Sequence, residues 1–308
     1  MDNLRIEKIN EVYIKIHCEP SVAYELNDYF TFDVPGAKFM PAYRNKFWDG
    51  KIRLFQVMTG YLYTGLIKYI EEFAKQRNYE LEYESDFSAD EFSLKEAKEF
   101  IARVKPTLEP RDYQLDAFVH AVRERRALLL SPTASGKSFI IYLIMRYYAK
   151  RTLIIVPTTS LVSQLASDFA DYGFDSDTFV HRVYAGQDKG STKPITISTW
   201  QSVYKLPKEF FDSFDVVIGD EAHLFKAKSL TSILTKLPST RYRFGFTGTL
   251  DGTQTHKLVL EGLFGAVRRV TTTKDLMHHL LSVLGKTVAP SASLNNELGV
   301  PLLLLKCD

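Results

Sequence analysis

Eight consecutive residues, Ser131-Pro132-Thr133-Ala134-Ser135-Gly136-Lys137-Ser138, hold the first arrangement along the chain with evident chemistry. An apolar run from Ala127 to Leu130 precedes them, and a helix-like run from Phe139 to Tyr148 follows. Strand, small-residue loop, Gly-Lys-Ser and helix make a phosphate loop. In such a loop backbone N–H groups wrap a polyphosphate at a helix N-terminus, a lysine reaches the β and γ phosphates, and a hydroxyl binds Mg²⁺. Lys137 and Ser138 fill the last two roles. Ser131 stands where G-x-x-x-x-G-K-[ST] has its first glycine, a place where a small side chain is sterically tolerable. Further along, Phe214-Asp215-Val216-Val217-Ile218-Gly219 leads into Asp220-Glu221-Ala222-His223, two adjacent carboxylates at the end of a buried strand. On a parallel strand beside the phosphate loop, Asp220 would hold Mg²⁺ through water, and Glu221 would orient or deprotonate an attacking water. The expected catalytic set is therefore Lys137, Asp220 and Glu221, and the expected metal set is Ser138 and Asp220.

These groups must be carried by strands that end together. Short apolar strands are predicted at Ala127 to Leu130, Leu153 to Val156, Ile195 to Ser198, Val216 to Gly219 and Tyr242 to Thr247, each followed by a turn and a helical pattern. Apolar strands alternating with helices imply a parallel sheet covered by helices on both faces. Before this α/β region lies a shorter one. Val12 to Cys18 and Lys51 to Val57 read as strands, and Val22 to Phe30 and Leu66 to Arg77 as helices. Ser93 with Glu96 three residues on is a capping box that starts a further helix, which Pro106 ends. The pattern divides the chain into a small α/β accessory domain (1–88), a connecting helix with the phosphate-loop domain (89–273) and a leucine- and serine-rich tail (274–308).

Composition bounds the function classes. The 308 residues include 39 Lys plus Arg and 37 Asp plus Glu, with 45% hydrophobic residues, which are globular proportions. No apolar run approaches the roughly 20 residues of a membrane span, and the charged N-terminus is unlike a secretory signal. Cys18 and Cys307 lack the spacing of a zinc site, so a cytoplasmic protein without structural zinc is expected. The near-neutral net charge of +2 hides a local concentration. Lys38, Arg44, Lys46, Lys51 and Arg53 are interleaved with Phe39, Tyr43, Phe47 and Trp48, with Asp49 as the one acid. Basic residues among aromatics suit nucleic acid, the cations meeting phosphate and the rings stacking on bases. Arg44, Lys46, Trp48, Lys51 and Arg53 are the candidates, against the alternative that the rings pack a core and the charges form a solvated face.

The order of motifs resembles the superfamily 2 helicases from about Glu109 to Val270. Glu109 to Gln114 is similar to the family's adenine-sensing glutamine motif, which implies Gln114 as adenine reader and Arg111 as a stacking partner. Ile154 to Leu161 resembles motif Ia and Ile197 to Ser202 motif Ib, which imply backbone contacts to nucleic acid from Pro157, Thr158, Thr159, Thr199, Trp200 and Gln201. Asp220 to His223 is a DEAH form of motif II. Gly245 to Thr249 resembles motif III, which implies that His223, Thr247, Gly248 and Thr249 couple the two sites. Trp48 to Leu54, Thr199 to Gln201 and the region from Leu263 to Thr272 narrow the resemblance to UvsW-type phage recombination helicases. The resemblance implies a RecA-like ATPase domain that uses ATP and Mg²⁺, working as a monomer in the host cytoplasm on branched or forked DNA and RNA–DNA hybrids in recombination, replication and repair.

One departure qualifies that expectation. Motors of this superfamily use a second RecA-like domain bearing Gln-x-x-Gly-Arg-x-x-Arg, and no such segment occurs in these residues. Its arginine fingers are worth about 10³ to 10⁵ in rate. A truncated helicase with little activity of its own and a non-native tail is expected. A non-enzymatic DNA-binding protein built on one RecA-like domain and a small-molecule phosphotransferase are the alternatives, and the second leaves Gln114 and Thr199-Trp200-Gln201 unexplained.

Overall fold

The computed structural model describes residues 3–184, 190, 192–225, 227–250 and 254–277. The leucine- and serine-rich tail beyond residue 277 lies outside them, and with it the expectation of a non-native terminus. Met1–Thr272 forms one compact unit.

The chain opens with β1 (Asn3–Lys8) and β2 (Tyr13–His17), α1 (Pro20–Tyr29), β3 (Thr31–Asp33), the single turn α2 (Pro41–Arg44), β4 (Lys51–Arg53), β5 (Tyr61–Tyr63), α3 (Ile67–Arg77) and β6 (Glu80–Tyr83). Strands β5-β2-β1-β6 form a sheet in that order, with β6 parallel to β1 and the other pairs antiparallel. Two-residue alternation explains its inner face: Leu4 and Ile6 of β1 and Ile14 and Ile16 of β2 are buried, joined by Val22 and Leu26 of α1 and Ile70 and Phe73 of α3. β3 and β4 form a separate antiparallel ribbon. The strand expected from Lys51 to Val57 therefore stops at Arg53. Leu54 and Phe55 are both buried, which breaks the alternation, and the chain turns back to bridge Gln56 with Tyr61.

α4 (Leu94–Val104) is the helix started by the Ser93–Glu96 capping box, with both reciprocal hydrogen bonds present. The elements that follow are α5 (Asp112–Glu124), β7 (Arg126–Leu130), α6 (Lys137–Tyr148), β8 (Thr152–Val156), α7 (Thr159–Asp171), α8 (Ser176–Phe179), β9 (Val180–Val183), β10 (Ile195–Thr199), α9 (Trp200–Val203), α10 (Lys208–Phe211), β11 (Val216–Gly219), α11 (Ala227–Leu234), β12 (Tyr242–Thr247), α12 (Gln254–Phe264) and β13 (Val267–Arg269). Seven strands form one parallel sheet in the order β13-β7-β12-β11-β8-β10-β9. This is a RecA-like sheet covered on both faces. Ala127, Leu129, Ile154, Val156, Val216 and Ile218 point to the layer of α4 to α7. Leu128, Leu153, Ile155 and Val217 point the other way, into a core that also holds α11, α12 and the buried residues of the N-terminal sheet.

The N-terminal module is tied down by polar contacts as well. The Arg126 guanidinium donates to the Glu11 carbonyl at 2.8 Å, Glu11 N–H donates to Pro238 O at 2.9 Å, and Tyr69 OH donates to Glu261 Oε2 at 2.6 Å. Gly65 and Gly262 lie at this junction without room for a side chain. A Cβ on Gly65 would collide with the Glu261 carbonyl oxygen, and one on Gly262 would lie 2.8 Å from the Tyr63 side chain.

Candidate nucleotide cleft and nucleic-acid surface

The phosphate loop connects the end of β7 to the start of α6, and each of its small residues has a local reason. Ser131 N–H donates to Thr247 O at 2.8 Å, so the loop leaves the sheet alongside β12. The Ser131 side chain is fully buried with its Oγ 2.5 Å from Ser135 Oγ, a brace across the loop that a glycine would lack. Ala134 and Gly136 have left-handed backbones, at φ 65 and 74°. Gly136 is required for a second reason, since a Cβ there would strike the Gln114 amide. Pro132, Thr133 and Ala134 form the outer rim of the loop, and the first turn of α6 aims its N–H groups at the concavity, as any helix start does.

Gln114 lies beneath this loop. Its Nε2 donates to Ser135 O at 3.0 Å and Gly136 O at 3.3 Å, while its Oε1 accepts from Arg111 N–H at 2.9 Å. Arg111 donates to Tyr113 OH at 2.8 Å, and Tyr113 OH donates to Ser135 O at 3.1 Å. Arg111 and Gln114 thus brace the loop from its α5 side.

The cleft itself has a volume of about 310 Å³ and is lined by Thr133, Ala134, Gly136, Lys137, Ser138, Leu161, Gln164, Leu165, Asp168, Asp220 and Glu221. Lys137 Nζ forms an ion pair with Glu221 Oε1. Asp220, 8% exposed, accepts from Glu221 N–H at 3.0 Å. Burial pushes its carboxyl up to about 6; the Lys137 ammonium opposes the rise and the Glu221 charge adds to it. Glu221 sits in the left-handed region at φ 50°, which turns its side chain back toward the loop as β11 ends. His223 Nδ1 lies 3.5 Å from Glu221 Oε2 and 2.7 Å from Thr247 Oγ1, and Thr247 Oγ1 donates to Thr249 O at 2.6 Å. Gly248 lies beside them, where a Cβ would be 3.9 Å from Glu221 Oε2. The candidate catalytic and coupling residues therefore meet along one connected edge.

Three polar residues in or beside the cleft escaped the sequence reading. Gln164 and Asp168 line the cleft from α7, and Tyr172, the C-cap of that helix, places its OH 2.8 Å from Ser138 Oγ. Their spacing of four, which puts all three on one helical face, was the available signal.

The expected nucleic-acid loops lie on the same edge of the sheet. Pro157 and Thr158 follow β8, and Thr158 caps α7 by accepting from Leu161 N–H at 3.4 Å. β10 pairs beside β8, so Thr199, Trp200 and Gln201 emerge next to them, and Gln201 Nε2 donates to Pro157 O at 3.3 Å. Thr199 Oγ1 is 2.8 Å from Ser202 Oγ, and Trp200 packs edge-on to Tyr204.

In the N-terminal module, Lys38, Tyr43, Arg44, Lys46, Phe47, Trp48 and Asp49 line an open concavity of about 730 Å³. Phe47 in this lining is 86% exposed and the neighbouring Phe39 73%, so neither packs a core. Trp48 is fixed by its Nε1 donating to Lys51 O at 2.8 Å, which holds the turn around Gly50. The cations differ among themselves. Arg53 is paired with Asp49 at 2.5 Å, whereas Arg44, Lys46 and Lys51 have no ion pair among the described residues.

Known proteins match the two parts in this order. A family model of the N-terminal region of the DNA helicase UvsW matches residues 3–84, and a model of the type III restriction enzyme res subunit matches residues 107–252. The chain is 34% identical over 279 residues to the ATP-dependent DNA helicase uvsW of Enterobacteria phage T4, covering 86% of this chain and 55% of that protein. It is 33% identical over 146 residues to the DNA 3'-5' translocase XPB2 of Sulfurisphaera tokodaii, covering 47% of this chain and 32% of that protein. The chain thus spans about half the length of its phage T4 relative, or less for the archaeal one. A crystal structure of the UvsW helicase from bacteriophage T4 superposes with a TM-score of 0.80 at 33% identity, over 87% of this chain and 99% of that one. An N-terminal module and a RecA-like sheet that both align over nearly the whole of that structure place the chain in the UvsW family of helicases.

Proposed function

We propose that these residues form the nucleotide- and DNA-binding part of an ATP-dependent DNA helicase that remodels branched or forked DNA and RNA–DNA hybrids in phage recombination, replication and repair. The observation that carries the reading is the unbroken polar run from Lys137 through Glu221 and His223 to Thr247, beside the loops at Pro157 and Thr199. A cleft that binds phosphate is thereby joined to a surface suited to a nucleic-acid backbone. The residues fit Mg-ATP: the loop is narrowed to glycine at 136, a lysine sits in the cleft, and the Ser138 hydroxyl and Asp220 carboxylate are the hard oxygen donors that Mg²⁺ prefers. When bound, ATP with Mg²⁺ supplies the phosphoryl transfer that drives movement.

The chain's own residues divide the work. With nucleotide bound, Lys137 would meet the β and γ phosphates in place of Glu221, and the freed Glu221 carboxylate would orient or deprotonate water. Ser138 and Asp220 would hold the metal. Arg111 and Gln114 read the adenine from beside the loop they brace. His223, Thr247, Gly248 and Thr249 carry the state of Glu221 to the DNA side. Pro157, Thr158, Thr159, Thr199, Trp200 and Gln201 grip the backbone, and Arg44, Lys46, Trp48, Lys51 and Arg53 extend the track. A second RecA-like domain closes the cleft with arginine, and the working unit in the host cytoplasm is a monomer.

ATP turnover measured on the 308-residue chain, alone and with a second RecA-like domain supplied by fusion, tests this. Nucleotide binding with little hydrolysis is expected for the chain alone, and forked DNA should stimulate the fusion more than linear duplex does. Robust unwinding of a forked duplex by the chain alone would refute the need for the second domain, and failure to bind nucleotide would refute the whole reading.

A further inference from the structure

Ser138 has a partner that belongs to none of the motifs. Tyr172 caps the C-terminus of α7 and is 9% exposed, with its ring edge-on to Phe139 at 4.9 Å and to Tyr142 at 5.4 Å between centroids. That packing fixes the phenol, whose oxygen lies 2.8 Å from Ser138 Oγ. Both partners sit on different helices, so the contact is tertiary rather than a local cap. One turn before Tyr172, Asp168 lines the same cleft as Ser138 and Asp220.

A serine hydroxyl has one proton and two lone pairs and rotates freely unless something fixes it. To serve a divalent cation it must present a lone pair, which requires its proton to be directed elsewhere. We propose that Tyr172 is a positioning residue for the metal: its oxygen accepts the Ser138 proton and so holds the Ser138 lone pairs toward Mg²⁺. The role is that of an outer partner that orients a ligand, the arrangement whose loss costs about 10- to 100-fold in metal affinity in other metal sites. The inference rests on the cleft being the Mg-nucleotide site.

The test is the Mg²⁺ dependence of mant-ADP binding by the 308-residue chain. Tyr172→Phe keeps the ring packing and removes only the hydroxyl. It should leave metal-free mant-ADP affinity within about twofold of wild type and weaken the Mg²⁺ enhancement by about tenfold. Ser138→Ala should lose the same enhancement, and the double variant should be no worse than Ser138→Ala alone, because the two hydroxyls act as one unit. An unchanged Mg²⁺ enhancement in Tyr172→Phe, or losses that simply add in the double variant, would overturn the proposal while leaving the cleft's assignment intact. Absence of mant-ADP binding by the wild-type chain, or undiminished binding by Lys137→Ala, would overturn the assignment and the proposal together.

Discussion

Thr247 gives its only hydroxyl proton to the Thr249 carbonyl at 2.6 Å, so at its 2.7 Å contact with His223 Nδ1 it must be the acceptor. His223 therefore carries its proton on Nδ1, between Thr247 and the Glu221 carboxylate at 3.5 Å. This imidazole thus bridges the Glu221 carboxylate and the strand end of β12. Thr247→Val keeps the shape and removes the acceptor. Nucleotide affinity should stay within about twofold, while DNA-stimulated hydrolysis by the chain joined to a second RecA-like domain should fall by about tenfold, the value of one hydrogen bond. Parallel loss of binding and stimulation would show that Thr247 supports the cleft rather than linking it.

The Lys137–Glu221 ion pair separates two variants that both remove a charge. Lys137→Ala should abolish most Mg-ATP affinity, because nothing else in the cleft lining bears a positive charge. Glu221→Gln releases Lys137 from its partner, so nucleotide should bind as well as in wild type or better, while hydrolysis slows by about 10²- to 10⁴-fold. Titration with a fluorescent nucleotide checks both, and weaker binding in Glu221→Gln would contradict a lysine held in reserve.

DNA affinity should depend on the N-terminal concavity mainly through phosphate. Replacing Arg44 and Lys46 together by alanine should weaken binding alike across unrelated sequences and reduce the log–log salt slope by about 2 for duplex. Arg53→Ala should do less, since its charge is already shared with Asp49. Phe47→Ala should selectively weaken single-stranded DNA, by about 1 to 3 kcal/mol. Equal slopes in wild type and the double variant, measured by anisotropy across a salt series, would make this surface a bystander.

Gly65→Ala should destabilise the fold by about 3 kcal/mol or more, because the added methyl meets backbone oxygen that has no room to yield. Gly248→Ala, whose nearest neighbours would lie at 3.9 Å, should change stability little. Urea unfolding of the two variants distinguishes a site limited by packing from one limited by function.

Acid should weaken the fold partly through His120. Burial holds its imidazole below the ordinary value of 6.5; Glu124 opposes this, while Arg268, Lys68 and Arg123 reinforce it. The unfolded chain then binds more protons as pH falls through 6.5 toward the folded value, so stability present above 6.5 is lost in that window. His120→Gln should flatten the decline between about pH 7.5 and about pH 5.5, by at most about 1.4 kcal/mol per pH unit. Identical pH profiles for variant and wild type by thermal melting would assign the decline elsewhere.

Legibility in the sequence followed burial. β7, β8, β10, β11 and β12 occupy the sheet interior, where both faces are covered and apolar runs are unbroken, so their positions were readable to within a residue. The edge strands β9 and β13 were not, because Val180-His181-Arg182-Val183 and Val267-Arg268-Arg269 mix charge with apolar residues, as half-covered edges do. Lys137, Ser138, Asp220 and Glu221 stood out through short-range spacing. Tyr172 did not, since its meeting with Ser138 depends on how α7 crosses α6. The brace between Ser131 and Ser135 was equally hidden: motif spacing marks Ser131 only as a tolerable replacement for glycine, whereas its hydroxyl pairs with that of Ser135.

The core shared between the N-terminal sheet and the inner face of the motor sheet has a consequence for inheritance and engineering. Leu128, Leu153, Ile155 and Val217 are kept dry in one cluster with Leu4, Ile14 and Phe73. A chain begun at residue 89 would lay part of that lining open to water and invite self-association, so the N-terminal module cannot be shuffled off as a detachable cassette. Any hinge within this unit must lie elsewhere than between these two sheets.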